Sequence, residues 1–159
     1  MGELALTGGP GGQWIEAMRR IGKLHADIET FPDFGRIERR ATGNDALVCH
    51  DSHCGSAKLD FDAPVFDIAA AELKARIRAV ALGEPRTIVR REMADDADIE
   101  FQQASALFRY PDIISVKLLA LGERQSSIAI WSRSVVGRKD FGVNRARVER
   151  WLAALRPGT

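Results

Sequence analysis

Cysteine is scarce in this chain of 159 residues, which has two. That excludes a disulfide-dense secreted scaffold, in which several bridges replace a core. No apolar run approaches the ~20 residues a helix needs to cross a bilayer. An excess of one charge is also missing, with 23 Lys+Arg against 22 Asp+Glu. Binding to duplex nucleic acid through overall charge is thereby excluded, because that affinity comes from many bases neutralising phosphates. What is present is an ordinary globular mixture, 45% hydrophobic and 28% charged. A chain this long buries roughly 70% of its unfolded surface, enough for a core without staples.

The start, Met1 to Leu6, has neither a cationic nor an apolar signal-peptide region before Gly8-Gly9-Pro10-Gly11-Gly12 breaks it. As written, the chain reads as cytoplasmic; removal of a leader would make it periplasmic or exported. The expected organisation is a flexible Gly-rich tail over 1–12, a helical extension over 13–40 and a single domain over 41–159. Trp14, Met18, Ile21 and Ile28 carry the extension's apolar stripe, and Phe31-Pro32-Asp33-Phe34-Gly35 ends it. The stretch from there to Val65 shows no sustained period and reads as a long irregular segment.

A helix follows, with Asp67 placed to cap it, Ala69, Leu73, Ile77 and Val80 on one stripe, and Gly83 and Pro85 as stops. Four strands are expected next, from Arg86 to Arg91, Ile99 to Arg109, Ile113 to Leu121 and Ser126 to Val136. The last alternates, with Ile128, Ile130, Ser132 and Ser134 facing one way and Ala129, Trp131, Arg133 and Val135 the other. A final helix from Asn144 to Leu155 buries Val148, Trp151, Leu152 and Leu155. This order predicts an α+β fold: an antiparallel meander of about four strands packed against an N-terminal-side helix and a C-terminal helix.

The densest reactive cluster is Cys49-His50-Asp51-Ser52-His53-Cys54. Cys49, His50, His53 and Cys54 are candidate zinc ligands, although adjacent Cys49 and His50 can hardly both reach one tetrahedral ion. Two free thiols beside the core are the simpler reading in a reducing compartment, and a local disulfide is the alternative in an oxidising one. Catalysis by a cysteine here would need His50 or His53 within hydrogen-bond reach. Asp95, Asp96, Asp98 and Glu100 read as a solvated turn between strands.

The segment from Ser132 to Val148 is more informative, since it passes from a strand through two glycines into a helix. Helix N–H groups favour an anion, and Arg133, Ser134, Arg138, Lys139, Asp140, Asn144, Arg145 and Arg147 are the candidate ligand-binding residues. The opposing reading is structural, with Asp140 or Asn144 capping the helix, the glycines permitting a tight turn, and the arginines pairing with Asp140, Glu149 or solvent. From Arg133 to Arg156 there are seven bases and two acids, so the near-zero net charge conceals a basic turn.

Asn44-Asp45-Ala46-Leu47 before Cys49, Ala63-Pro64-Val65-Phe66, Leu107 through Asp112, and Ser132-Arg133-Ser134 through Gly137, Asp140, Gly142, Asn144, Arg145, Arg147 and Val148 together resemble the uncharacterised bacterial family known as domain of unknown function 1499. The resemblance implies no established activity. His50, Ser52 and His53 stand where relatives often carry prolines and asparagine, so a metal site is not implied family-wide. Many relatives look exported or membrane-tethered, a context in which Cys49 and Cys54 could bridge.

The expected function is that of a small non-catalytic binding domain for an anionic small molecule or an acidic protein partner at 133–147. The alternatives are an enzyme using the Cys49–Cys54 loop, or an assembly domain that dimerises through Trp131 and its apolar neighbours. No cofactor is expected, zinc being the exception to test.

Overall fold

The alternation at Ser126 to Val136 is the pattern around which the sheet is built. The computed structural model describes residues 30–39, 41, 43–93, 97–136 and 141–157. Among these, six strands form one mixed sheet: β1 (Asp45–Cys49), β2 (Phe61–Asp62), β3 (Thr87–Glu92), β4 (Asp98–Ala104), β5 (Pro111–Gly122) and β6 (Gln125–Ser134), in the order β2-β1-β6-β5-β4-β3. The two helices are α1 (Ala70–Leu82) and α2 (Val143–Leu155). The α+β class holds, and the four-stranded antiparallel meander is corrected to six strands of which β1 and β2 pair in parallel.

The added strands lie in the segment expected to be irregular. All five residues of β1 are buried, because it sits inside the sheet and both its faces are covered. Such a strand has no polar alternation to betray it. At two residues, β2 is too short for any period. Conversely, β4 ends at Ala104 rather than Arg109. The chain there folds into a turn closed by Ser105, whose N–H donates to the Tyr110 carbonyl at 2.9 Å while its Oγ accepts from the Tyr110 N–H at 3.0 Å.

One sheet face packs against both helices. Ile99, Phe101, Ile114, Val116, Ile128 and Ile130 meet Leu73, Ile77 and Ala81 of α1 and Val148, Trp151, Leu152 and Leu155 of α2. Spacings of three and four residues place these side chains on one stripe of each helix. Trp151 is fully buried and meets Phe101 edge-on, with ring centroids 5.5 Å apart. The expected side-chain caps are not those used. Ala69 precedes α1 with no capping bond, so Asp67 is not its cap. Asn144 does not cap α2: the N-cap is Gly142, at φ 80, a conformation that costs an L side chain roughly 1–2 kcal/mol.

The opposite face has a smaller apolar layer in which Leu47, Cys49, Ala129 and Trp131 lie under Phe34, Ile37 and Cys54. Two 3-10 turns, Phe34–Arg36 and Asp51–Cys54, build this cover. They pack backbone against backbone at Gly55, φ 59, where an added Cβ would strike the Gly35 carbonyl oxygen. Trp131 is only 6% exposed, so the expected dimer surface around it is corrected to an internal layer. The tail, most of the helical extension, Asp95 and Asp96 lie outside the described residues.

Candidate anion-binding site

The motif from Arg133 to Arg147 does not form one site. Residue parity in β6 sends Ser132 and Ser134 to the helix face and Arg133 to the other, so the sheet separates residues that neighbour each other in sequence. On the helix face, Asn144 and Arg147 continue the buried stripe of α2 toward its N-terminus, each four residues before a core side chain, Val148 and Trp151 respectively. Arg147 is 3% exposed and fully engaged. Its Nε donates to Gln103 Oε1 at 2.6 Å, Nη1 to Asn144 Oδ1 at 2.7 Å and Ser132 Oγ at 2.9 Å, and Nη2 to Asp112 Oδ2 at 2.6 Å.

Asn144 locks the helix start to two strands. Its Oδ1 accepts from Ser132 Oγ at 2.6 Å, and its Nδ2 donates to Ser134 Oγ at 2.9 Å and the Asn44 carbonyl at 3.1 Å. Beyond Gln103 the network reaches Glu84, which receives Gln103 Nε2 at 2.9 Å and Arg150 at 3.0 and 3.2 Å. Burial opposes ionisation of Glu84, but the bonds from Arg150 and Gln103 outweigh it and hold the carboxyl below the usual glutamate range. Ser134, Asn144 and Arg147 therefore tie α2 to β4, β5 and β6.

Arg133 serves a second network. It is 2% exposed, lies with its guanidinium carbon 4.2 Å from the Trp131 ring centroid, and donates to Ser115 Oγ at 3.0 Å. Ser115 Oγ in turn donates to Glu100 Oε2 at 2.6 Å, and Glu100 Oε1 lies 3.3 Å from Arg91 Nε and 3.8 Å from Arg90 Nε. Burial pushes the Arg90 guanidinium below its ordinary pKa even with Glu100 beside it. Glu100, expected in a solvated turn, is a fully buried residue of β4. Sequence reasoning missed it because the acids before it are turn formers.

From Arg133 the polar contacts continue around the β1 edge. Trp131 Nε1 donates to Asp45 Oδ2 at 2.8 Å, and Asp45 is clasped by Arg39 at 2.9 and 3.2 Å. Arg39 also pairs with Asp60 at 2.9 Å, and Asp60 Oδ1 lies 3.7 Å from Arg145 Nη1. Burial weakens the Arg39 charge, but Asp45 and Asp60 overcome this and raise its pKa.

Arg145 is the described candidate that faces solvent, with 54% of its side chain exposed. It pairs with Glu149 at 3.2 Å and lies 5.7 Å from the Phe61 ring centroid. Phe61, Arg145, Glu149, Leu152, Ala153 and Arg156 line a cavity of about 340 Å³. A second cavity, of about 260 Å³, shares Arg156 and is lined also by Pro64, Val65, Phe66, Asp67, Ile68, Arg76 and Pro157. Phe61 escaped sequence reasoning because β2 has no period, and Arg156 because it falls just past the helix stripe. Arg138, Lys139 and Asp140 lie outside the described residues.

Cys49 and Cys54 are bridged to each other and buried. The free-thiol reading is corrected, and as bridged sulfurs neither offers a thiolate for metal or for nucleophilic attack. His53 Nδ1 lies 2.7 Å from the His50 carbonyl oxygen, and His50 Nε2 is 3.3 Å from Asp51. Among the described residues no group of three or more His, Cys, Asp or Glu is placed to hold a metal. No described helix is long and apolar enough to cross a membrane.

Fold and site define an α+β domain with a mixed sheet, two covering helices and an arginine-rimmed groove along its β2 side. The sequence profile of the family described as "Protein of unknown function (DUF1499)" matches residues 48–155, and the chain belongs to that family. Comparison with curated proteins, and with solved structures, gave no match.

Proposed function

We propose that the chain is a non-catalytic binding domain for an anionic amphiphile, a small molecule with an acidic head and an apolar body. The observation that carries this reading is the convergence of Arg145 and Arg156 on a cavity floored by Phe61, Leu152 and Ala153. A cavity of about 340 Å³ is within the size range of small-molecule sites. An exposed guanidinium recognises carboxylate or phosphate through paired N–H donors, while the apolar floor takes the body. The second cavity, which shares Arg156 as a lining residue, offers an apolar body further room beside Pro64 to Ile68. Of the residues first singled out, Arg145 is the one this reading assigns to the ligand; Asn144 and Arg147 hold the helix that presents it. The Cys49–Cys54 bridge supports an oxidising compartment as the place of action.

The reading is tested by thermal melting of the purified chain with dodecyl phosphate or lauric acid below micelle formation. A concentration-dependent rise in melting temperature is expected, absent in Arg145→Ala and Arg156→Ala, and absent with dodecanol. No rise for the folded wild-type chain, or an unchanged rise in both variants, defeats it.

A further inference from the structure

Away from the groove, at the end of the sheet where β4 turns into β5 and β6 runs out toward α2, apolar side chains are displayed rather than buried. Leu107 is 79%, Phe108 67%, Tyr110 44%, Phe141 95% and Val143 49% exposed. The pairing of Asp112 with Ser134, and the bond from Val135 N–H to the Pro111 carbonyl, bring the ends of β5 and β6 together, so the two turns leave the sheet side by side. Phe108 and Tyr110 are stacked, with centroids 5.6 Å apart, and Arg109 stands between them in sequence. Arg109 is exposed and forms no ion pair among the described residues. Both Arg109, φ 57, and Phe141, φ 54, adopt the left-handed conformation that side chains other than glycine usually avoid.

We infer that this end of the molecule docks on the surface of an anionic lipid bilayer, with Leu107, Phe108 and Phe141 entering the headgroup and acyl boundary and Arg109 pairing with lipid phosphates. Side chains as exposed as these touch little of their own chain, and dissolving them together in a fluid apolar layer removes them from water without a matching pocket for each. Tyr110 has the amphipathic ring that favours the headgroup level. The charge agrees: turns 105–110 and 141–143 contain one base, Arg109, and no acid. Asp112, the nearest acid along β5, is turned to the helix face and paired with Arg147, so it does not oppose an anionic surface.

The experiment is flotation of the full chain with vesicles of phosphatidylcholine alone or of phosphatidylcholine with phosphatidylglycerol. The wild-type chain is expected to float with the phosphatidylglycerol vesicles at low salt and to be released as salt rises. The double variant Phe108→Ser with Phe141→Ser should bind at least about tenfold more weakly while keeping its circular dichroism and melting temperature, since full burial of one such ring alone is worth about that factor or more. Arg109→Ala should weaken binding about fivefold on the anionic vesicles. Arg145→Ala, which disables the groove, should float like the wild type, separating this surface from the proposed ligand site. No flotation of the folded chain at low salt overturns the inference, as does flotation unaltered by the double variant. Self-association that the double variant abolishes, without vesicle binding, assigns the patch to a second copy of the chain and overturns it too.

Discussion

The two faces of the sheet each bury an arginine from one short motif, and they bury it differently. On the helix face, the donors of Arg147 meet Gln103, Ser132, Asn144 and the Asp112 carboxylate, at 2.6 to 2.9 Å. On the other face, Arg133 reaches Ser115 at 3.0 Å, and its Nη2 stands 4.0 Å from Glu100, which lies nearer to Arg91. Ionic groups removed from water are stabilising only where their hydrogen bonds are satisfied with good geometry. Arg147 is accordingly a fixed joint between helix and sheet, whereas Glu100 shares its charge among several arginines and depends less on any one of them.

Replacement of Arg147 by Met tests the first half of this contrast most severely. It strands the Asp112 carboxylate and the Gln103 oxygen in the interior, and should lower stability by about 3–5 kcal/mol in urea unfolding. The equivalent Arg133→Met leaves Glu100 with Arg90 and Arg91, so a loss of about 1.5–3 kcal/mol is expected, the range for one hydrogen bond to a charged group. Equal losses for the two variants would break the comparison. The bridge beneath the Phe34 and Ile37 layer closes a short loop. Reducing it, or replacing Cys49 and Cys54 by Ser, should cost about 2 kcal/mol in the same measurement, on the chain-entropy account.

Acid should weaken the helix-face network at Glu84. Glu84 has a folded pKa below its unfolded value of 4.5, so its contribution is complete above that pH and is lost as the pH falls through the lower folded value. Melting temperature measured through this acid range should fall, and the fall should be shallower in Glu84→Gln. The smallest effect is expected for Arg145→Ala. Its ion pairs with Asp60 and Glu149 are half-exposed, and loss of such surface pairs costs about 0–1 kcal/mol. A larger loss would make Arg145 part of the frame rather than of the groove.

Much of the frame is legible along the chain. Alternation in β6 gives the correct side for Ile128, Ile130, Ala129 and Trp131, and the stripe of α2 gives Val148, Trp151, Leu152 and Leu155. The upper part of the same stripe passed for a ligand site, because Asn144 and Arg147 are polar and polarity reads as exposure until partners are known. β1 was hidden for the reverse reason: buried on both faces, it has no pattern to contrast with. Glu100 and Asp45 look like solvent residues in sequence and are interior residues in the fold, each beside arginines that come from other elements.

The sequence alone places both helices and strand β6, since side chains two apart on a strand and three or four apart on a helix must share a face. It therefore also determined that Arg133 and Ser134 part company. Only the tertiary structure decided what each of them meets. Asn144 bonds to the Asn44 carbonyl 100 residues away and Trp131 to Asp45 across 86. Contacts at that separation arise from strand order and helix docking, which no local period encodes, and they turned Arg133, Asn144 and Arg147 into joints that hold the molecule together while leaving Arg145 at its surface.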